Sequence, residues 1–151
     1  MALDDDIRTL SGVALFQSLA DEHLRLLAFG AEEVRLPNGQ RLYREGDVAD
    51  SAFVVTSGRI GLYHNRDGGL EMIGRADAGE IVSELALIAE TQRLTEAVAL
   101  SDSQLLRLDR KSFKRILDEY PEIAASLYDR IADDLQAMVA RLERLSSHFE
   151  N

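Results

Sequence analysis

The residues best equipped for chemistry lie in one stretch, Gly79-Glu80-Ile81-Val82-Ser83-Glu84-Leu85-Ala86-Leu87-Ile88, with Arg93 shortly after it. A guanidinium is a planar fork that donates two parallel hydrogen bonds to a pair of anionic oxygens. Ser83 to Ala89 contains Glu-Leu-Ala-Leu-Ile-Ala and predicts a short helix. A helix starting at Ser83 or Glu84 aims free N–H groups and the positive end of its dipole toward the same anion. The plainer alternative is that Glu84 and Arg93 pair with each other across a solvated loop. A surface pair of that kind stabilises little, so it gives weak reason for this arrangement, and anion binding is the favoured reading. Other chemistries have poorer material. The chain has no cysteine, which removes disulfides, thiolate metal sites and cysteine nucleophiles. Of the histidines, only His64 falls in an extended run, while His23 belongs to a helical stretch and His148 lies near the chain end. No two stand at ligand spacing, so each is expected to be a solvated surface residue and no metal is expected. No serine sits in a Gly-x-Ser-x-Gly elbow. An enzyme is not expected.

Three zones must position these residues. In residues 1–30 the apolar side chains Ile7, Leu10, Val13, Leu15, Phe16, Leu19, Leu24 and Leu27 recur at helical spacing. Ser18 with Asp21 reads as a helix start, and the last helix of the zone should end near Gly30. Residues 33–109 form short extended runs separated by turn residues such as Pro37-Asn38-Gly39, Ser57-Gly58 and Asp67-Gly68-Gly69. Seven or eight short strands so spaced describe a sandwich or barrel, and the helix near Ser83 interrupts them. Residues 111–149 are helical again, with Pro121 suited to a first helical turn. Tyr128, Ile131, Leu135, Met138, Leu142, Leu145 and Phe149 then repeat at steps of three and four, a heptad seam. Such a helix is roughly 40 Å long, longer than the domain it packs on, so part of the seam should meet a second copy of the chain. The alternative is a monomer whose helix wraps back on its own domain. Ala132, Asp134, Val139 and Arg141 flank the seam without paired charges.

The totals narrow the class. The 151 residues suit one domain, 1–151, and 46% hydrophobic with 29% charged is ordinary for a folded protein. Seventeen basic against 27 acidic residues give a net charge of −10, a field that repels phosphate backbones. The N-terminus carries Asp4-Asp5-Asp6 where a signal peptide needs base and an apolar run. No stretch reaches membrane-spanning length, so a cytoplasmic location is expected.

The runs Pro37 to Asp47 and Ala52 to Ile60, the stretch Gly79 to Ile88 followed by Arg93, and Leu105 to Asp109 through Phe113 and Pro121 together resemble the cyclic-nucleotide-binding domain. That domain serves the catabolite activator family, the cyclic-nucleotide-dependent kinases and the gated channels. The resemblance covers about Val13 to Leu145 and implies an α+β fold. Its core would be an antiparallel, jelly-roll-like β-roll of about eight strands. N-terminal helices, a short internal phosphate-cassette helix and a long C-terminal helix would complete it. It implies a ligand, cyclic AMP or cyclic GMP, and no cofactor. Arg93 would take the cyclic phosphate and Glu84 the ribose 2′-hydroxyl. Ser83, Leu85, Ala86, Leu94 and Thr95 would line the cassette, with Leu62 and Ile73 as the apolar floor under the base. The implied function is a regulatory module that signals through its C-terminal helix to a partner protein or to its homodimer mate. Binding would draw the cassette inward and move the helix about a hinge near Lys111 to Pro121.

Several positions depart from the family pattern. Ser83 stands where glycine is usual, Gln92 where proline is frequent, and Thr95 and Glu96 replace alanine and a hydroxylated residue. Leu94 removes the hydroxyl associated with cyclic GMP, which makes cyclic AMP the preferred ligand. Glu96 adds an anion near the phosphate site. Met138 and Val139 replace a polar pair that reads the purine in the transcription factors. Only Ser147 to Asn151 follow the helix where those regulators continue into a helix-turn-helix, so direct binding to nucleic acid is not expected. The alternative function is a degenerate member that no longer binds nucleotide and serves as a dimeric scaffold.

Overall fold

A computed structural model describes residues 2–17 and 19–150, the side chains of 2, 122, 138 and 141–150 excepted. Helix α1 (Ala2–Ser11), a 3-10 turn (Ala14–Phe16) and α2 (Asp21–Gly30) precede ten strands. These are β1 (Glu32–Leu36), β2 (Arg41–Tyr43), β3 (Val48–Ala49), β4 (Ser51–Ser57), β5 (Arg59–Arg66), β6 (Gly69–Asp77), β7 (Ile81–Val82), β8 (Thr91–Gln92), β9 (Glu96–Ala99) and β10 (Ser103–Asp109). A second 3-10 turn, Glu84–Leu87, sits between β7 and β8, and α3 (Arg110–Glu119) and α4 (Pro121–Glu150) close the chain. The sheets run β1-β10-β4-β7 and β2-β9-β5-β6, with β3 pairing only β8, and every pairing is antiparallel. The expected α+β roll flanked by helices is the observed architecture.

The first sheet is a wall between two cores. In β4, Ala52 and Val54 face a cluster built with the helices, while Phe53 and Val55 face the interior of the roll. In β10, Leu106 and Leu108 face the helices and Leu105 the roll. Strand alternation sends successive side chains to opposite faces. With both faces covered, β4 reads as an unbroken apolar run from Ala52 to Val55, whereas Arg107 interrupts the run of β10. At roughly 25 cal/mol per Å² of apolar area, these two clusters supply the main term that stabilises the fold.

Tyr120 separates α3 from α4 with φ −129° and ψ 67°. The proline ring at Pro121 disfavours helical geometry at the residue before it, so the break is written into the sequence. Ile123, Leu127 and Ile131 of α4 are buried in the helix-side cluster, and Leu135 is half-buried. Arg130 Nη1 donates to the carbonyl of Ala14, tying α4 to the first 3-10 turn. The buried stripe therefore advances by fours onto the chain's own domain. Ile131, expected on the intermolecular seam, is fully buried within it, while Tyr128 is 45% exposed and Val139 39% exposed. The side chains of Met138, Leu142, Leu145 and Phe149 lie outside the described residues, as does Ser18.

His23, expected to be solvated, is not. It is buried on α2, where its Nδ1 accepts from the Ala20 N–H at 3.1 Å and its ring meets Tyr120 edge-on at 4.2 Å. Packing beneath the α3–α4 break, rather than solvation, accounts for it. His64 is half-buried with Nδ1 3.1 Å from the Glu45 carboxylate, so it too is partnered rather than freely solvated. Among the described residues no group of His, Cys, Asp or Glu is arranged to hold a metal ion, and no helix is long and apolar enough to cross a membrane.

Candidate functional site

Arg93 follows β8 and is pinned by its backbone. Its N–H donates to Asp47 O at 2.7 Å, and its carbonyl accepts from the Gly46 N–H at 2.9 Å. The β3–β8 pairing, Val48 opposite Gln92 and Ala49 opposite Thr91, continues this clasp. The side chain then runs inward, and the residue is 6% exposed. Nη1 donates to Ser51 O and to Ser83 Oγ, each at 2.6 Å, and Nη2 donates to Ser51 Oγ at 3.3 Å. The Asp50 carboxylate lies 3.8 Å from Nη2. The guanidinium carbon sits 4.5 Å from the Tyr43 ring centroid and 5.5 Å from that of Phe53, in cation–π range. Burial draws its pKa down, while Tyr43 and Asp50 counter that shift. Nε has no hydrogen-bond partner.

Ser83 and Glu84 differ from expectation in instructive ways. The predicted helix is a four-residue 3-10 turn, and Ser83 ahead of it is left-handed, φ 64° and ψ 36°, with no side-chain cap. A left-handed conformation costs a residue with a Cβ about 1–2 kcal/mol, and this is the conformation the usual glycine would adopt freely. The Ser83 hydroxyl is engaged by Arg93 instead of by the turn. No ion pair joins Glu84 to Arg93 among the described residues, so the simple surface pair is absent. Glu84 is half-buried. Burial, then the nearby Asp134 carboxylate of α4, pushes its pKa up to about 7, and burial also raises that of Asp134.

A pocket opens beside the cassette. Ser83, Glu84, Leu85, Leu94, Thr95 and Leu62 all line it, joined by Tyr43, Ile81, Val82, Thr91 and Gln92, with Ile131 and Leu135 of α4 across the mouth. Its cavity is about 60 Å³. Three expected residues fall elsewhere. Arg93 stands off the lining and reaches Ser83 from behind it. Ala86 is fully buried. Ile73 is packed into the roll-side cluster, because alternation along β6 turns it into the core. Glu96 is buried on β9 and pairs with Arg41 of β2 at 3.1 Å, so its charge is neutralised within the roll.

Ser51, Tyr43 and Phe53 cradle Arg93, and none of them was legible in the sequence as a site residue. Ser51 is 42 positions away along the chain. It precedes the run Ala52 to Ile60, and nothing local to it says where a distant arginine will arrive.

Residues 33–120 match the family model described as the cyclic nucleotide-binding domain. A cyclic AMP receptor protein from Thermus thermophilus is 29% identical over 138 residues, covering 91% of this chain. The chain spans 64% of the length of that relative. A solved structure of a cyclic nucleotide-binding-like protein from Brucella abortus is 49% identical with a TM-score of 0.69, covering 76% of this chain and 99% of that one. The regulatory domain of Toxoplasma gondii PKA, solved with cAMP, is 26% identical with a TM-score of 0.74, covering 85% of this chain and 49% of that one.

Proposed function

The chain belongs to the cyclic nucleotide-binding domain family, and we propose from that premise that it is a regulatory module whose ligand is a cyclic nucleotide. Cyclic AMP is favoured over cyclic GMP, because Leu94 on the pocket wall offers no hydroxyl to a guanine. The observation that carries this reading is the shared wall. Cassette residues Ser83, Glu84 and Leu85 and α4 residues Ile131 and Leu135 line one pocket. An occupant would touch both at once, which is what a ligand needs in order to shift a helix. Arg93 would hold the phosphate, and Glu84 would accept the ribose 2′-hydroxyl. Leu62 would support the base. α4 would carry the change to a partner protein or to a second copy, using the exposed Tyr128 and Val139. The reading assigns no catalysis, no direct nucleic-acid binding and a cytoplasmic setting.

The test is calorimetric titration of the purified protein with cyclic AMP and with cyclic GMP, alongside Arg93→Ala. Saturable binding, stronger for cyclic AMP and lost in the folded variant, is the expected result. A folded protein that takes neither nucleotide would favour the second reading, a member that has lost its ligand and works as a scaffold. One specific observation speaks for that reading. The Arg93 fork already donates to Ser51 and Ser83.

A further inference from the structure

We propose, resting on the cyclic-nucleotide reading of the site, that Ser83 is an internal competitor for the phosphate, its hydroxyl holding a donor of Arg93 that the ligand must take. Arg93 has five N–H donors. Both on Nη1 are spent, one on Ser51 O and one on Ser83 Oγ. Nη2 makes a longer bond to Ser51 Oγ, and the Tyr43 and Phe53 rings pack against the guanidinium. Of the two serines, Ser83 alone also lines the pocket. Its hydroxyl therefore stands between the guanidinium and any pocket occupant. A bidentate grip on two phosphate oxygens needs neighbouring donors on one side of the fork, so Ser83 Oγ has to be released first.

The backbone supplies a second, independent observation. Ser83 is one of two non-glycine residues with positive φ among the described residues, the other being Asp67 in the β5–β6 turn. Strained conformations persist where surrounding contacts over-determine them. Here the contact is the 2.6 Å bond to Arg93. Serine thus occupies a glycine conformation while adding a group that glycine lacks, and that group quenches the anion-binding side chain. The consequence is a sensor tuned to weaker affinity, with Ser83 as its affinity-setting residue.

Ser83→Gly removes both the hydroxyl and the strain, whereas Ser83→Ala removes the hydroxyl and keeps the Cβ in its left-handed position. Calorimetry with cyclic AMP on the wild type, both variants and the Ser83→Gly/Arg93→Ala double variant separates the contributions, with thermal melts to establish folding. The expected result is Ser83→Gly tighter than wild type by at least about tenfold, the size of a released charge-assisted hydrogen bond. Ser83→Ala should shift the same way by less, and the double variant should lose the gain. Wild-type binding with both Ser83 variants unchanged or weaker would overturn the competitor role and leave the nucleotide reading standing. Silence from every folded protein would overturn both.

Discussion

Glu84 experiences two environments at once: it borders the pocket, and it faces Asp134 of α4. Burial and that second carboxylate both penalise its charge, which is why its pKa rises from an ordinary 4.5 to about 7. Between those values the folded chain binds more protons at this position than the unfolded chain does. Stability therefore falls as pH rises through that window. The contribution is complete below the ordinary value and gone once pH has passed the folded one. Glu84→Gln should remove this part of the slope and leave the protein more stable than the parent at pH 8 by about 1–2 kcal/mol, after allowance for partial solvent screening. Urea melts between pH 5 and pH 8 read it directly. Parallel pH profiles for the variant and the parent would refute the assignment. Asp134→Asn should weaken the same slope, because it removes the like charge beside Glu84 without touching the cassette.

At the scale of elements, Gly58 shows how a turn fixes a strand pairing. It links β4 to β5 with φ 89°, and a Cβ there would lie 2.3 Å from Ser103 Oγ and 2.6 Å from Asp102 O. Backbone on one side and a positive φ on the other leave no room for adjustment. Gly58→Ala should cost about 2–4 kcal/mol through overpacking and strain, seen as a lowered denaturation midpoint. A midpoint unchanged from the parent would show that the β10 end of the wall can yield. Seven or eight strands were expected and ten are present; the extended runs visible in the sequence became β1, β2, β4, β5, β6, β9 and β10. The strands that were not visible, β3, β7 and β8, have two residues each. So short a pairing has no period to detect, and it exists because its neighbours bring it together. The same limit applies to the site. Ser83, Glu84, Leu85 and Leu94 are local and were legible, whereas the Ser51–Tyr43–Phe53 cradle depends on how β2 and β4 converge on Arg93. The seam on α4 was legible as an apolar stripe, but not its division between the chain's own core and an outside surface. Burial of Leu127 and Ile131 against β-wall and helix side chains decides that division, and a helical period alone does not encode it.

For the molecule as a whole, the size of the pocket sets a condition on any ligand. A cavity of about 60 Å³ has room for a few water molecules, whereas sites for small organic ligands run to roughly 300–1,000 Å³. A nucleotide seated there would press part of the wall aside. The roll side is held by the antiparallel pairing of β5 with β6 and β9. The opposite side is α4, which follows the non-helical Tyr120 and meets the pocket through Ile131 and Leu135. The helix is therefore the wall expected to move, and the loss of its packing at Ile131 is what would carry the signal outward. Hydrogen exchange on the wild-type protein at saturating cyclic AMP should show faster exchange for the α4 amides around Leu127 to Leu135, with the β4 and β10 amides unchanged. Arg93→Ala, mixed with the same nucleotide, should give the pattern of the free protein. Unaltered α4 protection with nucleotide demonstrably bound would place the yielding wall in the cassette instead. The 3-10 turn would then be the moving part and α4 a fixed support, which would remove the helix as the route by which this domain reports its ligand.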